Sequence, residues 1–379
     1  MNKVDHTETA PLSHRFSPSN LLQFLPALGL YVLSRAVVLV ILAIVAHVKK
    51  QLILTFLTGW DSHWYLMIAH YGYVSSIPAG PGSAAQCDLG FFPLLPLLIR
   101  ATHFMTGLNF TASGLLICGI IGAAASVALW KLIDDYFGKA GATKGLAYVL
   151  FSPAAVVLSM VYSEGALILF ASCALLALRR QRWLVAGLCA AATTALDPVG
   201  MAAVGLCFWA AWSAIRKEGN YRALVAAFVA PLGVVSFFTY LWIHTGSFLE
   251  WFHAQRAGWQ GGKFGTGIYH SIFQTVMHGF ANLNPPVKAI TLVATIAMLV
   301  WAWKRRAPEL WAAYFLSTLA LGALSPLVGI SPRLLLRSFP LLAFTGATLP
   351  RRRYQLVGFV LVVSSVILAI LSTSGTWIP

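Results

Sequence analysis

The sequence predicts an all-α, polytopic protein of the lipid bilayer, and two observations predict it. First, 59% of the 379 residues are hydrophobic and only 10% are charged. An ordinary soluble domain carries about 25% charged residues, so this chain has too few to solvate its surface in water. Second, the apolar residues fall into long runs separated by short basic clusters. In lipid every backbone amide must find its partner inside the protein, which leaves helices or a closed barrel. The runs are too long and too evenly apolar for alternating barrel strands, so about nine to eleven transmembrane or re-entrant helices are expected in one membrane-embedded unit over residues 1–379.

The first span is expected over 21–48, behind a polar tail at 1–20, and it is too long for the apolar core of a cleavable signal peptide. The next long span is 111–130. Apolar stretches follow at 145–161, 165–178, 183–196, 199–215, 223–243, 287–303, 308–330, 331–349 and 355–373. Several are shorter than the ~20 residues of a straight span. The stretch 91–99, broken by Pro93 and Pro96, is expected to lie in the interface or re-enter.

The net charge of +15 is spread over five clusters rather than one patch, which argues against nucleic acid as a partner. These are Lys131/Lys139/Lys144, Arg179/Arg180/Arg182, Arg216/Lys217/Arg222, Lys304–Arg306 and Arg351–Arg353. Cytoplasmic placement of all five satisfies the positive-inside rule. The tail 1–20 is then cytoplasmic, and the segments 49–108 and 244–286 form two outer loops. Lys49, Lys50 and Arg100 lie outside against the trend. The five cysteines suggest no disulfide framework, since four lie in apolar segments. Internal symmetry of the kind common in secondary transporters is not visible.

The first outer loop carries the most informative stretch, residues 60–73. Its helical spacing places Trp60, Trp64, Met67, Ile68 and Tyr71 on one broad face. One reading is an interfacial helix with Asp61 near its positive end. The other makes Asp61 a general base at the membrane surface, accepting the proton of an attacking hydroxyl. Asp61 and Asp88 are the acidic residues of 49–108. Asp88 opens the segment Asp88-Leu89-Gly90-Phe91-Phe92-Pro93 and is either a loop residue or a second carboxylate for the acceptor. Glu164 follows Tyr162-Ser163 between two apolar stretches, as a hairpin cap or an acceptor-orienting group. Arg333 and Arg337 share a helical face on the outer side, placed either to snorkel or to pair with phosphate oxygens. Arg35, midway along the first span, is a further candidate for the phosphate. Trp60, His63 and Tyr65, with Gln255 and Trp259 of the second outer loop, are candidates to contact acceptor or sugar. His63 and His70 do not make a metal site by spacing, and there is no phosphate-cradling loop or dinucleotide fingerprint. Neither a metal nor a cofactor is expected.

Trp60-Asp61 with Trp64-Tyr65, Ile68-Ala69 and Gly72-Tyr73 resembles the first outer-loop motif of the PIG-V family, the GPI mannosyltransferase II group and its bacterial relatives. Phe91-Phe92-Pro93-Leu94 with Pro96-Leu97 is similar to its next motif, and Ser152-Pro153 with Tyr162-Ser163-Glu164 to a third. Ser34-Arg35, Arg333 with Phe339-Pro340, and Gly246 through Ala254-Gln255 to Trp259 resemble further landmarks. The chain departs from the family at Thr193-Thr194 and Asp197-Pro198, where a Thr-Arg pair is common, and at Arg333-Leu334, where an Arg-Tyr pair is common. The resemblance implies a GT-C glycosyltransferase fold, a polyprenyl-phosphate sugar donor, and Asp61 as the catalytic carboxylate. It implies mannosyl or related hexosyl transfer to a glycan, glycolipid or protein acceptor on the outer or lumenal face. A bacterial cell membrane fits the short loops better than an endoplasmic reticulum. The rival expectations are a transporter or flippase for the lipid-linked sugar, which needs no base, and a noncatalytic assembly subunit. Acceptor identity and oligomeric state are not encoded legibly.

Overall fold

The structure is a computed structural model that describes residues 22–80, 82–259, 266–279, 281–325, 329–375 and 377. The expected tail 1–20 and part of the second outer loop lie outside the described residues. Among these, every regular element is helical. Among the described residues six stretches are long and apolar enough to cross a bilayer: Leu25–Lys49, Phe110–Leu150, Pro198–Glu218, Tyr221–Thr245, Asn284–Lys304 and Arg351–Ser372. Trp183–Thr194, Glu309–Leu324 and Phe339–Thr348 are shorter apolar helices. The protein is thus a multi-pass membrane protein.

Helix α1 (Leu25–Lys49) has proline in its first turn, where a missing amide costs nothing, and closes on Lys50 in the left-handed conformation. Its outward residues Val32, Leu33, Val40 and Ile44 are exposed in the isolated chain, as a lipid-facing surface requires. A short helix α2 (Ile53–Leu57) leads to α3 (Asp61–Tyr71) and then, through the loop 72–93, to α4 (Leu94–Thr106). Helix α5 (Phe110–Leu150) runs 41 residues. Asn109, the first residue of the formal glycosylation sequon, caps it by accepting from the Ala112 amide at 2.8 Å. Gly138, at φ 68°, breaks α5 where an L side chain would be strained.

The two limbs of α5 fold back on each other at Gly138: Trp130 Nε1 donates to the Thr143 hydroxyl at 3.5 Å, and a Cβ on Gly145 would stand 3.1 Å from the Ile133 side chain. The expected spans 111–130 and 145–161 thus lie on separate limbs. The second limb ends at Leu150, short of residue 161, and Ala155–Ser159 forms a tight 3-10 turn.

After this turn come α6 (Glu164–Arg179), α7 (Trp183–Thr194), α8 (Ala202–Glu218), α9 (Leu224–Val229) and α10 (Leu232–Thr245), the last two interrupted at Pro231. Helix α11 (Glu250–Trp259) and α12 (Gly267–His278) precede α13 (Asn284–Lys304) and α14 (Glu309–Leu324). The six-residue α15 (Pro332–Arg337), capped by Ser331, precedes α16 (Phe339–Thr348) and α17 (Arg351–Ser372). The core forms where α16 lies along α5, α5 along α1 and α6, and α6 along α7. The α5–α16 seam is close because a Cβ on Gly145 would stand 2.6 Å from the Ala343 carbonyl oxygen. Small residues bring transmembrane helices into such backbone contact.

The face expected on α3 also needs correction. Its buried residues are Ser62, Tyr65, Ile68 and Ala69, Trp64 packs against Phe91, and Met67 and Tyr71 point outward. The face is thus split between the bundle and the lipid–water boundary.

Candidate active site

Helix α3 begins abruptly. Trp60, just before it, has φ 56° and ψ −128°, a conformation that favours glycine and costs a residue with a side chain on the order of 1–3 kcal/mol. Asp61 is therefore the first helical residue, and its amide donates to the Tyr162 hydroxyl at 3.2 Å. Arg100 of α4 donates to the Ile68 and Ala69 carbonyls near the other end of α3. The Ala69 carbonyl is one that the helix end leaves open, and the Ile68 carbonyl accepts from the Gly72 amide as well. This gives Arg100 a structural reason to stand against the positive-inside trend. Lys49 has one too, donating to the Thr373 carbonyl at 2.8 Å just past α17.

The Asp61 carboxylate meets Arg333 Nη1 at 2.5 Å. Arg333 Nε also donates to Glu164 Oε1. The same oxygen accepts from Arg337 Nε at 3.0 Å, and Arg337 Nη2 reaches Asp197 at 2.6 Å. The chain Asp61–Arg333–Glu164–Arg337–Asp197 is continuous, and its three carboxylates exceed its two guanidiniums by one charge. The members differ in access: the side chains of Glu164, Arg337 and Asp197 are 0%, 6% and 8% exposed, against 15% for Arg333 and 27% for Asp61. The arginine pair neither snorkels nor stands open. The α-helical spacing of four puts both guanidiniums on the Glu164 carboxylate that starts α6. Arg333 also lies over the Tyr162 ring at 4.7 Å.

Asp197 is the member sequence reading missed. It stood only as a departure from the family pattern, an acidic residue before Pro198 at the end of an apolar stretch. It caps the short turn 198–201 by accepting from the Val199 amide at 2.9 Å, and that local role hides the long-range one.

Next to Asp61 lies an aromatic cluster. Trp64 stacks on Phe91 at 5.8 Å, and Trp259 of α11 meets both rings edge-on at 6.1 and 5.7 Å. Tyr65 touches Phe91 at 5.4 Å and donates to the Ser163 hydroxyl at 3.2 Å. His63 lies against Trp64 with its edge exposed. Gln255 Nε2 and Trp251 Nε1 both donate to the Gly90 carbonyl, at 3.0 and 3.1 Å. A Cβ on Gly90 would stand 3.0 Å from Trp259, so glycine admits α11 to the loop. His63, Tyr65, Gln255 and Trp259 thus gather around Trp64, Phe91 and Gly90, while Trp60 lies apart, its indole on the Ser372 carbonyl.

Two candidates sit elsewhere. Asp88 accepts the Val74 amide through both oxygens, at 3.1 and 3.3 Å, and is buried. Burial raises its carboxyl above the usual range, offset in part by the Val74 amide. The neighbouring Cys87 thiol is pushed up to about 11 by burial. Asp88 folds the loop 72–93 on itself. Arg35 is buried in α1 and donates to the Ala155 carbonyl at 2.6 Å, the Ser159 hydroxyl at 2.9 Å and the Leu150 carbonyl at 3.1 Å. It holds the end of α5 and the turn before Tyr162, and makes no hydrogen bond with the Asp61 network. His63 and His70 go to different surroundings, His70 stacking on Tyr71 and Phe110 at 4.1 and 4.5 Å. Among the described residues, no three His, Cys, Asp or Glu side chains group as a metal site would require.

The helical membrane bundle is similar in fold to solved membrane proteins. Two structures of ArnT from Cupriavidus metallidurans match it, one bound to undecaprenyl phosphate and one in the apo state. The first shares 18% identity at a TM-score of 0.55 over 89% of this chain and 64% of that one. The second shares 16% at 0.54 over 89% and 63%. The chain spans just under two thirds of the length of these ArnT structures. No family model matches the chain, and no curated protein matches it in sequence.

Proposed function

We propose that the protein is a membrane glycosyltransferase that moves a sugar from a polyprenyl-phosphate carrier to an acceptor hydroxyl with inversion, using Asp61 as general base. The observation that carries this reading is the graded access of the ion network. Asp61 is its most open carboxylate, 27% exposed, while Glu164 and Asp197 are closed off behind it. A base needs hydrogen-bond reach of a substrate proton. The likeness to an ArnT bound to undecaprenyl phosphate supports a lipid phosphate as the donor's carrier. The resemblance of residues 60–73 and 91–97 to the PIG-V motifs favours mannose or a related hexose.

In this mechanism the acceptor oxygen attacks the anomeric carbon from the face opposite the phosphate. The carbon–oxygen bond to the lipid phosphate breaks, the electron pair leaves with the phosphate, and the hydroxyl proton passes to Asp61. A phosphate is a stable leaving anion and needs charge nearby more than a proton. Arg333, the more open of the two arginines and the one that touches Asp61, is the group we assign to that charge. Arg337 holds Glu164 and so Arg333 from behind, and Arg35 supports the Tyr162 segment. The rings of Trp64, Phe91 and Trp259 supply an apolar wall suited to a sugar face, with His63, Tyr65 and Gln255 around it. Asp88 and Glu164, expected to orient the acceptor, are both buried: Asp88 folds the loop 72–93, and Glu164 holds Arg333 and Arg337. We place this end of the bundle on the outer face by the positive-inside rule, and the short loops favour a bacterial cell membrane. The donor's tail then lies in lipid while its sugar meets Asp61.

Purified protein in detergent is incubated with polyprenyl-phosphate mannose and glycan, glycolipid or peptide acceptors, and released polyprenyl phosphate is measured. Release by the wild type that falls about 10²–10⁴-fold in Asp61→Asn is the expected result. Near-normal release by Asp61→Asn removes the base assignment. Movement of the lipid-linked sugar across vesicle membranes without release would replace the reading by that of a carrier.

A further inference from the structure

Trp60 holds a backbone that a side chain resists, and the neighbouring contacts show what keeps it there. Its indole Nε1 donates to the carbonyl of Ser372 at 3.3 Å. Ser372 is the last residue of α17, so that carbonyl is one the helix leaves open. One residue on, the Thr373 carbonyl and hydroxyl accept from Lys49 Nζ, at the end of α1. Trp377, 3% exposed, belongs to the main apolar core. The end of α17 is thus fixed to the bundle on both sides of the carbonyl that Trp60 uses. From the other side, the Asp61 amide is fixed by Tyr162.

We infer that Trp60 is a positioning residue: its indole, anchored on the Ser372 carbonyl, holds the turn at φ 56° that starts α3 at Asp61 and aims the Asp61 carboxylate at Arg333. The inference rests on the reading of Asp61 as the base. It differs from a contact between the Trp60 ring and the sugar, because it is the N–H and the backbone that act. If the turn relaxes to an ordinary φ, the first residue of α3 rotates and the carboxylate leaves its place. Errors of about 1 Å at a reacting group cost on the order of 10²-fold in rate.

Three variants of the full chain test it. Trp60→Phe keeps a ring and removes the donor. The expected result is a kcat lower by about tenfold with the donor and acceptor KM unchanged, the mark of a misaimed group rather than a lost contact. A KM rise at constant kcat, or no change, overturns the inference. Trp60→Gly and Trp60→Ala both remove the indole, but only glycine adopts the turn freely. The glycine variant is expected to melt at the higher temperature in detergent, and an alanine variant that melts at or above it overturns the strained turn. The melting order needs no substrate. A wild type that releases no polyprenyl phosphate therefore defeats the transferase reading while leaving the turn and its anchor to be judged separately.

Discussion

At one end of the bundle Asp61, Glu164 and Asp197 face Arg333 and Arg337 in a chain with three members less than 9% exposed. At the other end the charges are mostly cationic and open. Lys217 pairs with Glu309 at 2.8 Å with the two side chains 61% and 47% exposed. Lys131 and Arg180 share Asp135, and Arg351, Arg352 and Arg353 lie exposed. Arg351–Arg353 open α17 at the helix end where the macrodipole disfavours cations, so local helix physics does not explain them. The sidedness proposed above does. At the basic end, charge addresses the surroundings. At the acidic end it addresses the protein itself, because charges removed from water persist only when paired.

This contrast is broken most directly by Arg337→Met. It leaves Glu164 and Asp197 buried with half their cationic partners, and breaking such a pair costs about 3–5 kcal/mol. The expected outcome is a large fall in the thermal midpoint in detergent micelles. A fall of a degree or less would show that the network is not buried in solution. A double-mutant cycle of Arg337→Met with Asp197→Asn comes next. The two contact each other, so their losses are expected to couple by about 0.5–3 kcal/mol, with the double variant more stable than the sum of the singles. Additive losses would uncouple Asp197 from the network.

Asp88 sharpens the comparison between a paired buried charge and one held by backbone amides with His244 nearby. Its pKa is raised by burial, so its protonated form favours the fold. That contribution is complete below the unfolded value, about 4, and is lost as pH rises through the higher folded value. Asp88→Asn stays neutral and keeps an acceptor for the Val74 amide. It is expected to be at least as stable as the wild type at neutral pH, with the difference shrinking towards pH 4 in melts taken across that range. The smallest effect belongs to the basic end. Lys217→Met removes an open ion pair and is expected to shift stability by no more than about 0.5 kcal/mol. A loss comparable to that of Arg337→Met would erase the distinction between the two ends.

The α-helical membrane architecture was legible, and so were Asp61, Glu164, Arg333 and Arg337 as notable residues, because charges are rare in apolar sequence. Their pairing was not. Arg333 was expected either to snorkel or to stand open to phosphate, but in the fold it touches Asp61 and Glu164. Arg35 looked like their peer and instead holds the end of α5 and its turn. The turned face of α3 escaped because hydropathy averages over the small residues, Ser62 and Ala69, that decide it.

The sequence by itself determined the solvent. Whether a segment prefers lipid depends on its own side chains and on the need to pair its backbone internally, both local properties. Only the tertiary structure decided which charges meet. Asp61 and Arg333 are 272 residues apart in the chain, Arg333 and Glu164 169, and Arg337 and Asp197 140. Contacts at such separations depend on how α3, α6, α7 and α15 pack, and no local pattern carries that information. The turn at Trp60 is a case of both: its tryptophan is written in the sequence, and the carbonyl that holds it comes from the far end of α17.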